Sequence, residues 1–277
     1  KKYPKVAEIP FNALRKYIAN DFVGIANCSK VKVFDAGNNP LICFFCKKNN
    51  KGKFFVDVFG SDYFIESRSN IDENFKKLEN WGLLLAQNDG VVNKVKNNKK
   101  PLGEFIKCEN PFATSEAYEL INILSEYEEK QPVFKLVNTG TIEPYTTLWG
   151  IKPTSYLKNK YHKPSVIKND FMRKFPRRFK QAESAKIIIS GMRHFECFFD
   201  EDGEYLAGKS TLIIREGPQV NFKYLTALLN SKIVKFYLQQ NYSSQGIDGG
   251  INFNSDMVEN LPYVDYKGKE FDYLLFF

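Results

Sequence analysis

The chain has 277 residues, of which 43% are hydrophobic and 15% aromatic, so it can bury the core of one large domain or two modest ones. Forty Lys and Arg against 32 Asp and Glu give a net charge of +8, which favours an anionic partner. No apolar run has the length of a membrane span or of a signal peptide. Five cysteines without a disulfide pattern predict a reduced, cytoplasmic protein without membrane contact.

The first sixty residues predict a helix followed by short strands. Pro10 can begin a helix whose apolar residues share one face, namely Phe11, Leu14, Tyr17 and Ile18. Strands are expected at 23–26, 41–45 and 54–59, and the second is apolar on both faces, which is typical of a buried sheet. Cys43 and Cys46 have the spacing of zinc ligands, but without a second pair this apolar strand favours core cysteines.

The remainder of the chain predicts helices and strands in an α+β arrangement. Helices are expected at 115–129 and after the N-cap Asn221, the latter with an inward stripe of Phe222, Leu225, Leu229, Ile233 and Phe236. Apolar runs predict strands at 133–137, 186–190, 195–199 and 211–215. Asp202 and Gly203 are expected to form the turn of a hairpin between the last two strands.

Positive charge is concentrated between Trp149 and His194, which we call the basic segment. It contains twelve Lys and Arg but only two acids, Asp170 and Glu183, so it carries +10 and the rest of the chain about −2. Such a concentration is typical of a polyanion-binding surface, although a lysine-rich composition could also make a solvated face basic. Aromatic residues lie between these charges, and Phe175 and Phe179 are expected to be buried on one helix face.

Residues 203–210 match the phosphate-binding loop pattern letter for letter, but their context does not. Acidic residues precede the pattern and the β-type run at 211–214 follows it, where nucleotide binding needs a helix. Lys209 and Ser210 are therefore expected to meet the phosphate of a nucleic-acid backbone. His162 and His194 lie far apart in sequence and predict neither a metal site nor a catalytic triad.

From Phe134 to Pro262 the chain resembles the C-terminal target-recognition domain of Taq-type adenine-specific DNA methyltransferases and of fused type IIG restriction–modification enzymes. The matching stretches occur in the family's order and are Asn138-Thr139-Gly140-Thr141-Ile142, Leu148-Trp149-Gly150, Lys186 to Met192, Tyr205 to Thr211, Leu228 to Lys232 with Phe236-Tyr237, Gly249-Gly250 and Asn260-Leu261-Pro262. Each is loose alone, but the ordered set is fairly specific.

The first fifty residues resemble the closing part of the methyltransferase domain in the same family. There a Pro-led helix precedes an antiparallel strand pair, and Val33-Phe34 matches the loop that joins the two strands. The resemblance implies that Phe34 stacks on a flipped-out adenine; the alternative is an ordinary loop aromatic. The expected fold is a remnant of an α/β methyltransferase domain at 1–57, followed at 58–277 by a mixed, mainly antiparallel target-recognition domain with packed helices. Within the latter, 58–132 is a connector and helical part and 133–277 a β-rich core.

The family's catalytic Asn/Ser-Pro-Pro-Tyr motif and its glycine-rich S-adenosylmethionine motif do not occur in this sequence. The resemblance therefore implies a fragment that is catalytically inert alone, with no catalytic residue, cofactor or metal of its own. S-adenosylmethionine and a catalytic domain in cis would belong to the parent enzyme. A start without Met and an end on Phe277 fit a piece of a longer polypeptide.

The expected function is sequence-specific recognition of double-stranded DNA within a restriction–modification system. The predicted phosphate contacts are Lys152, Lys158, Lys163, Arg173, Lys174, Arg177, Arg178, Lys180, Lys209 and Ser210. The predicted base-reading positions are Arg193, Gln245, Gly249, Gly250, Asn252 and Asn254. The alternatives are a non-enzymatic specificity subunit of type I systems, an RNA-binding protein and, more remotely, a nucleotide hydrolase acting through residues 203–210.

Overall fold

The protein is described by a computed structural model, which covers residues 16–28, 30–33, 40–47, 54–71, 73, 100–129, 131–215, 220–242 and 251–263. The chain divides into two compact units, residues 1–93 with 239–249, and residues 94–238 with 250–277. The predicted division at residue 57 falls inside a strand of the first unit, and the assignment of residues 1–57 to a methyltransferase-like domain stays a prediction. None of the described helices is long and apolar enough to cross a membrane.

The first unit contains a four-stranded sheet in the order β2-β1-β3-β4. Its strands are β1 (Phe22–Asn27), β2 (Leu41–Phe45), β3 (Phe54–Phe59) and β4 (Ile65–Ile71). The predicted antiparallel strand pair is present, because β1 pairs antiparallel with β2, while β3 lies parallel to β1. Residues 16–18 are helical, and the rest of the helix predicted from Pro10 lies outside the described residues.

Two predictions about this sheet are wrong. All five side chains of β2 are exposed, because β2 is the edge strand and β1 is its neighbour. Cys43 is consequently exposed and Cys46 half-buried, so neither is a core cysteine.

The polar sequence of β4 does not predict a strand. Arg68 of β4 donates from Nε and from an Nη atom to the buried Asp57 of β3, each at 2.6 Å, and so joins the two strands.

The second unit contains two four-stranded sheets. The first has the order β16-β14-β18-β6 and the second β17-β8-β13-β7. Their strands are β6 (Cys108–Glu109), β7 (Ser125–Glu126), β8 (Val133–Val137), β13 (Pro164–Ile167), β14 (Lys186–Ser190), β16 (Cys197–Asp200), β17 (Tyr205–Ala207) and β18 (Thr211–Arg215). All pairs are antiparallel except β17 with β8. The mixed, mainly antiparallel architecture is therefore confirmed.

Short strand pairs complete this unit. They are formed by β5 (Lys100–Pro101) with β20 (Pro262–Tyr263), β9 (Ile142–Glu143) with β10 (Thr146–Thr147), β11 (Thr154–Tyr156) with β12 (Asn159–Tyr161), and β15 (Met192–Arg193) with β19 (Ile251–Asn252). The last pair we call the β15–β19 ribbon. The helices are α1 (Thr114–Leu120), α2 (Lys168–Lys174), α3 (Pro176–Glu183), α4 (Phe222–Asn230), α5 (Lys232–Tyr242) and α6 (Ser255–Glu259). The last residues of α5, from 239 onward, are assigned to the first unit.

Two apolar clusters hold the sheets and helices together. Val137 of the second sheet packs with Ile188 and Ile213 of the first in one buried cluster, so the sheets share a core. A second cluster joins the second sheet to α1, α2 and α3, and it includes Phe171 and the predicted Phe175 and Phe179. Phe175 is buried and Phe179 partly buried, which confirms that these rings serve packing.

Two local predictions fail because distant segments decide them. The helix expected over 115–129 ends at Leu120, since Ser125–Glu126 pairs with β13. The Asp202-Gly203 hairpin is wrong, because β16 and β18 flank β14 on opposite sides and β17 joins the other sheet. Gly203 is nevertheless required, as its φ is +63° and a Cβ there would overlap the Glu183 carbonyl.

The helix expected after Asn221 is two helices. The Asn221 side chain caps α4 by accepting from the Tyr224 N–H at 3.0 Å, as predicted. Ser231 is extended and separates α4 from α5, so the predicted inward stripe does not continue and Ile233 is 49% exposed. The long-range anchor of α4 is Asn230, whose side-chain amide exchanges hydrogen bonds with the backbone of Cys197 at 2.9 and 3.1 Å.

Candidate nucleic-acid interface

Three segments that are distant in sequence meet around Ser210. The Asn138 amide donates to the Ser155 carbonyl at 2.9 Å and accepts from the Ser210 N–H at 3.3 Å. The Thr139 hydroxyl donates to the Ser210 carbonyl at 2.5 Å. We call residues 138–141, 155, 191 and 208–210 the turn cluster. The polar groups of these turns thus form hydrogen bonds with one another, which fixes the geometry of the turns.

Glycines are necessary in the turn cluster because backbone approaches backbone. Gly208 donates to the Val137 carbonyl at 2.7 Å, and a Cβ there would lie 2.8 Å from the Asn138 side-chain oxygen. Gly191 donates to the Ser210 carbonyl at 3.0 Å, and a Cβ on it would overlap that same oxygen. Gly191 and Gly208 therefore serve close packing, whereas Gly140 of the same cluster has nothing within 4 Å of an added Cβ.

The phosphate-loop pattern at 203–210 does not form a phosphate loop. β17 lies inside it and β18 follows it, as the sequence predicted for residues 211–215. The carboxylate of Asp200 accepts from the N–H groups of Glu204 and Tyr205, each at 3.0 Å. Lys209 donates to the Thr114 hydroxyl at 2.6 Å, and Ser210 remains half-buried at the surface of the turn cluster.

The β15–β19 ribbon carries two of the predicted base-reading residues in adjacent pairs of its register, not opposite one another. Arg193 pairs with Ile251 and Met192 with Asn252, and the side chains of Arg193 and Asn252 are exposed. The ribbon is joined to the turn cluster through Gly191, whose carbonyl accepts from the Phe253 N–H at 2.8 Å. Asn254 serves differently, since its side chain caps α6 by accepting from Met257 at 2.9 Å. Gln245, Gly249, Gly250 and Phe34 lie outside the described residues.

The predicted phosphate contacts on α2 and α3 divide into paired and unpaired side chains. Arg178 is held by Glu116 through contacts of 2.7 to 3.2 Å, Arg173 pairs with Asp170, and Lys174 donates to the Glu119 carbonyl at 3.0 Å. Arg177 and Lys180 are exposed and make no hydrogen bond or ion pair within the described part of the chain. Glu116 therefore already neutralises Arg178, whereas the side chains of Arg177 and Lys180 are exposed and unpaired there; the phosphate contacts themselves stay predictions.

The remaining predicted phosphate contacts lie around the β11–β12 hairpin. Lys158 occupies the hairpin turn, where Leu157 and Lys158 both have positive φ angles of 44° and 73°, as a two-residue hairpin loop requires. Lys152 and Lys163 flank the hairpin, and the Lys163 stem lies beside Gly150. The side chains of all three lysines are exposed, which leaves their ammonium groups accessible to a polyanion.

One cation of the basic segment is buried in the core. Lys186 donates to Asp200 and to the Ala182 carbonyl, both at 2.5 Å, and each partner of the ion pair has at most 2% exposed side chain. Burial lowers the pKa of Lys186, while the attraction of Asp200 opposes that shift. This lysine joins the C-terminal end of α3 to the loop before β17, and it contributes nothing to the surface charge.

Comparison with known families identifies residues 112–262 as a TaqI-like C-terminal specificity domain. The chain belongs to this family. The specificity domain includes the turn cluster, the basic segment and the β15–β19 ribbon. No curated protein matches the chain.

Two solved structures are similar over most of the chain at 9% identity. The type IIG restriction endonuclease BpuSI has a TM-score of 0.45, with 95% of this chain and 39% of that chain covered. The type IIL restriction–modification enzyme MmeI, solved in complex with DNA, has a TM-score of 0.37, with 88% and 34% covered. The chain therefore spans between a third and two fifths of the length of these enzymes.

Three features of the specificity domain were not assigned a role from the sequence. Asn138 is the hub of the turn cluster, Glu116 neutralises Arg178, and Lys186 forms the buried ion pair. Gly208, two residues before Ser210, and Gly191, next to Met192, are the sequence signal for close backbone approach. The acidic partners gave no signal, because they lie 62 and 14 residues away from their cations.

Across the described residues, no group of three or more His, Cys, Asp or Glu side chains could hold a metal ion.

Proposed function

We propose that the chain reads the sequence of double-stranded DNA for an adenine-specific methyltransferase of a restriction–modification system. The observation that carries the proposal is the turn cluster, where motif segments of the specificity domain meet and from which the β15–β19 ribbon extends. A two-stranded ribbon has the dimensions to enter the major groove, where base edges can be distinguished. Arg193 and Asn252 present side chains that can bind such edges.

The phosphate contacts in this proposal come from the exposed cations of the basic segment. No carboxylate in the described residues pairs with the side-chain cations of Arg177, Lys180, Lys152, Lys158 or Lys163, so DNA does not have to displace an ion pair to meet them. Lys209 and Ser210 lie in the turn cluster and can contribute further contacts. Such contacts set the position of the duplex without reading its sequence.

The parent enzyme would carry out the methyl transfer to adenine. In this proposal residues 1–57 are the closing part of its methyltransferase domain, Phe34 stacks on the flipped adenine, and S-adenosylmethionine binds to the catalytic part in cis. The antiparallel β1–β2 pair supports this view, because it is the strand arrangement that the resemblance implies. Gln245, Gly249 and Gly250 remain proposed base-reading residues, and the protein would act in the cytoplasm.

Salt-dependent DNA binding tests the proposal. Fluorescence anisotropy of a labelled duplex, titrated with the chain at several salt concentrations, should give an affinity that falls by roughly 0.9 logarithmic units per neutralised phosphate for each tenfold rise in salt. The double variant Arg177→Gln/Lys180→Gln should reduce this slope by up to about 1.8 if each residue neutralises one phosphate.

The matched control is Lys232→Gln, which removes one exposed cation outside the basic segment and should leave the slope unchanged. Duplex RNA should compete less well than duplex DNA, because the deep and narrow major groove of RNA excludes a protein ribbon. An affinity that does not respond to salt would contradict the proposal, and stronger binding of RNA would favour the RNA-binding alternative.

A further inference from the structure

Arg193 lies at the centre of a strained turn. Its φ is +67°, and the His194 N–H donates to the Met192 carbonyl at 2.9 Å, which closes a three-residue turn around it. Residues other than glycine seldom adopt this conformation, and a three-residue turn with a positive central φ is among the rarest. The other non-glycine residues of this unit with a positive φ are Tyr145, in the short loop between β9 and β10, and Leu157 and Lys158, in the hairpin loop that requires them.

The surroundings hold this turn on both sides. The Ser190 hydroxyl donates to the Met192 carbonyl at 3.1 Å, and the Ser190 N–H donates to the Glu196 carbonyl at 2.8 Å. Beneath the turn, the buried rings of Phe195 and Phe253 meet edge to face with centroids 5.0 Å apart. Unfavourable backbone conformations that persist in this way are concentrated at functional sites, where the surrounding structure determines them.

The Arg193 guanidinium also differs from the other arginines. Four of the six arginines in the described residues pair with a carboxylate: Arg68 with Asp57, Arg173 with Asp170, Arg178 with Glu116 and Arg215 with Glu109. Arg193 and Arg177 are exposed and make no such contact there. Arg177 lies on α3 among other cations, whereas Arg193 lies on a fixed ribbon next to the turn cluster.

From this geometry we infer that Arg193 reads a guanine, so that the recognition sequence contains a G·C pair at the position facing the β15–β19 ribbon. This inference rests on the proposed function and names the base that it requires. The guanidinium presents two parallel N–H donors, which match the O6 and N7 acceptors that guanine exposes in the major groove. The turn fixes the backbone of Arg193 and the direction of its Cα–Cβ bond before binding, so little backbone entropy is lost on contact, and only the exposed side chain has to be ordered.

The test begins with selection of duplexes by the chain from a randomised library, followed by anisotropy titrations. A guanine should be enriched, and its replacement by 7-deazaguanine, which lacks the N7 acceptor but keeps base pairing, should weaken binding by the unmodified chain. Replacement by adenine should weaken it by roughly 5- to 150-fold, the range for one bidentate contact. The Arg193→Gln and Arg193→Gly variants should bind all these duplexes with similar affinity.

The matched control is Arg177→Gln, which should weaken binding to every duplex by the same factor and keep the penalty for 7-deazaguanine. The inference is overturned if no guanine is enriched, or if the Arg193 variants keep the penalty. In both cases salt-dependent duplex binding persists, so the proposed function survives. Loss of that binding in the unmodified chain would instead refute the proposed function. Because the base analogue acts on the unmodified chain, a variant that fails to fold does not prevent the test.

Discussion

Helix α3 and the β15–β19 ribbon both present arginine, but they hold it in opposite ways. On α3 the neighbours Arg177 and Arg178 differ only in direction, and one is exposed while the other is fixed by Glu116. On the ribbon a single arginine occupies a strained turn that many hydrogen bonds determine. Under the proposed function, phosphate contacts made from α3 need only a solvated face, whereas reading a base from the ribbon needs a fixed backbone position.

The largest expected effect is on stability and concerns Lys186, which is buried and lies neither on α3 nor on the ribbon. Lys186→Met leaves the buried Asp200 without its counter-charge and should lower the free energy of unfolding by about 3–5 kcal/mol. Urea unfolding followed by circular dichroism measures this change. The double variant Lys186→Met/Asp200→Leu is the control, since removal of both charges should recover part of the loss. A loss under about 0.5 kcal/mol, typical of surface substitutions, would place Lys186 in solvent.

Close approach of the backbone at Gly191 should make the turn cluster intolerant of a side chain there. Gly191→Ala forces a Cβ onto the Ser210 carbonyl, so the backbone has to shift, and we expect a loss of about 2 kcal/mol or more of unfolding free energy. Gly140 lies in the same cluster with nothing within 4 Å of an added Cβ, so Gly140→Ala should change stability by less than about 0.5 kcal/mol. Equal losses in the two variants would show that Gly191 is not a point of close approach.

The strain at Arg193 should be measurable without DNA. Arg193→Gly removes the Cβ that a positive φ disfavours and should therefore raise the free energy of unfolding by about 1 kcal/mol. The greater conformational entropy of glycine in the unfolded chain offsets part of this gain. Thermal unfolding by calorimetry measures the gain. His194→Gly, one residue further on in the same exposed turn, is the control and should not stabilise. If Arg193→Gly destabilises instead, the turn carries no strain.

The smallest expected effect is a difference between variants of Arg178 and Arg177 in how their stability depends on pH. Hydrogen bonds from Arg178 hold the pKa of Glu116 below its ordinary value. The folded state therefore binds the proton more weakly than the unfolded state, so this contribution to stability is present above the ordinary glutamate pKa. It is lost as the pH falls through the lower pKa of the folded protein. Melting temperatures measured across the acidic range should fall less steeply for Glu116→Gln and Arg178→Gln than for Arg177→Gln, which should match the unmodified chain.

Much of the fold could be predicted because it depends on local pattern. The runs at 133–137, 186–190 and 211–215 are strands because β-branched and apolar residues fill both faces of a buried sheet. Asn221 caps a helix because its side chain reaches the N–H three residues on. The basic segment is visible in the sequence because charge is a property of each residue.

Tertiary structure decided the features that depend on distant partners. Leu41–Phe45 is apolar on both faces, but its place at the edge of the sheet leaves it exposed. The helix predicted over 115–129 gives way to a strand because β13 provides a pairing partner at 125–126. The sequence by itself determined which residues are charged and which segments are extended. The pair of Arg173 with Asp170 is local, since the two residues are three apart on one helix. Only the folded chain decided that Arg178, Arg215 and Lys186 are neutralised, because their acidic partners lie 62, 106 and 14 residues away and no local periodicity records them.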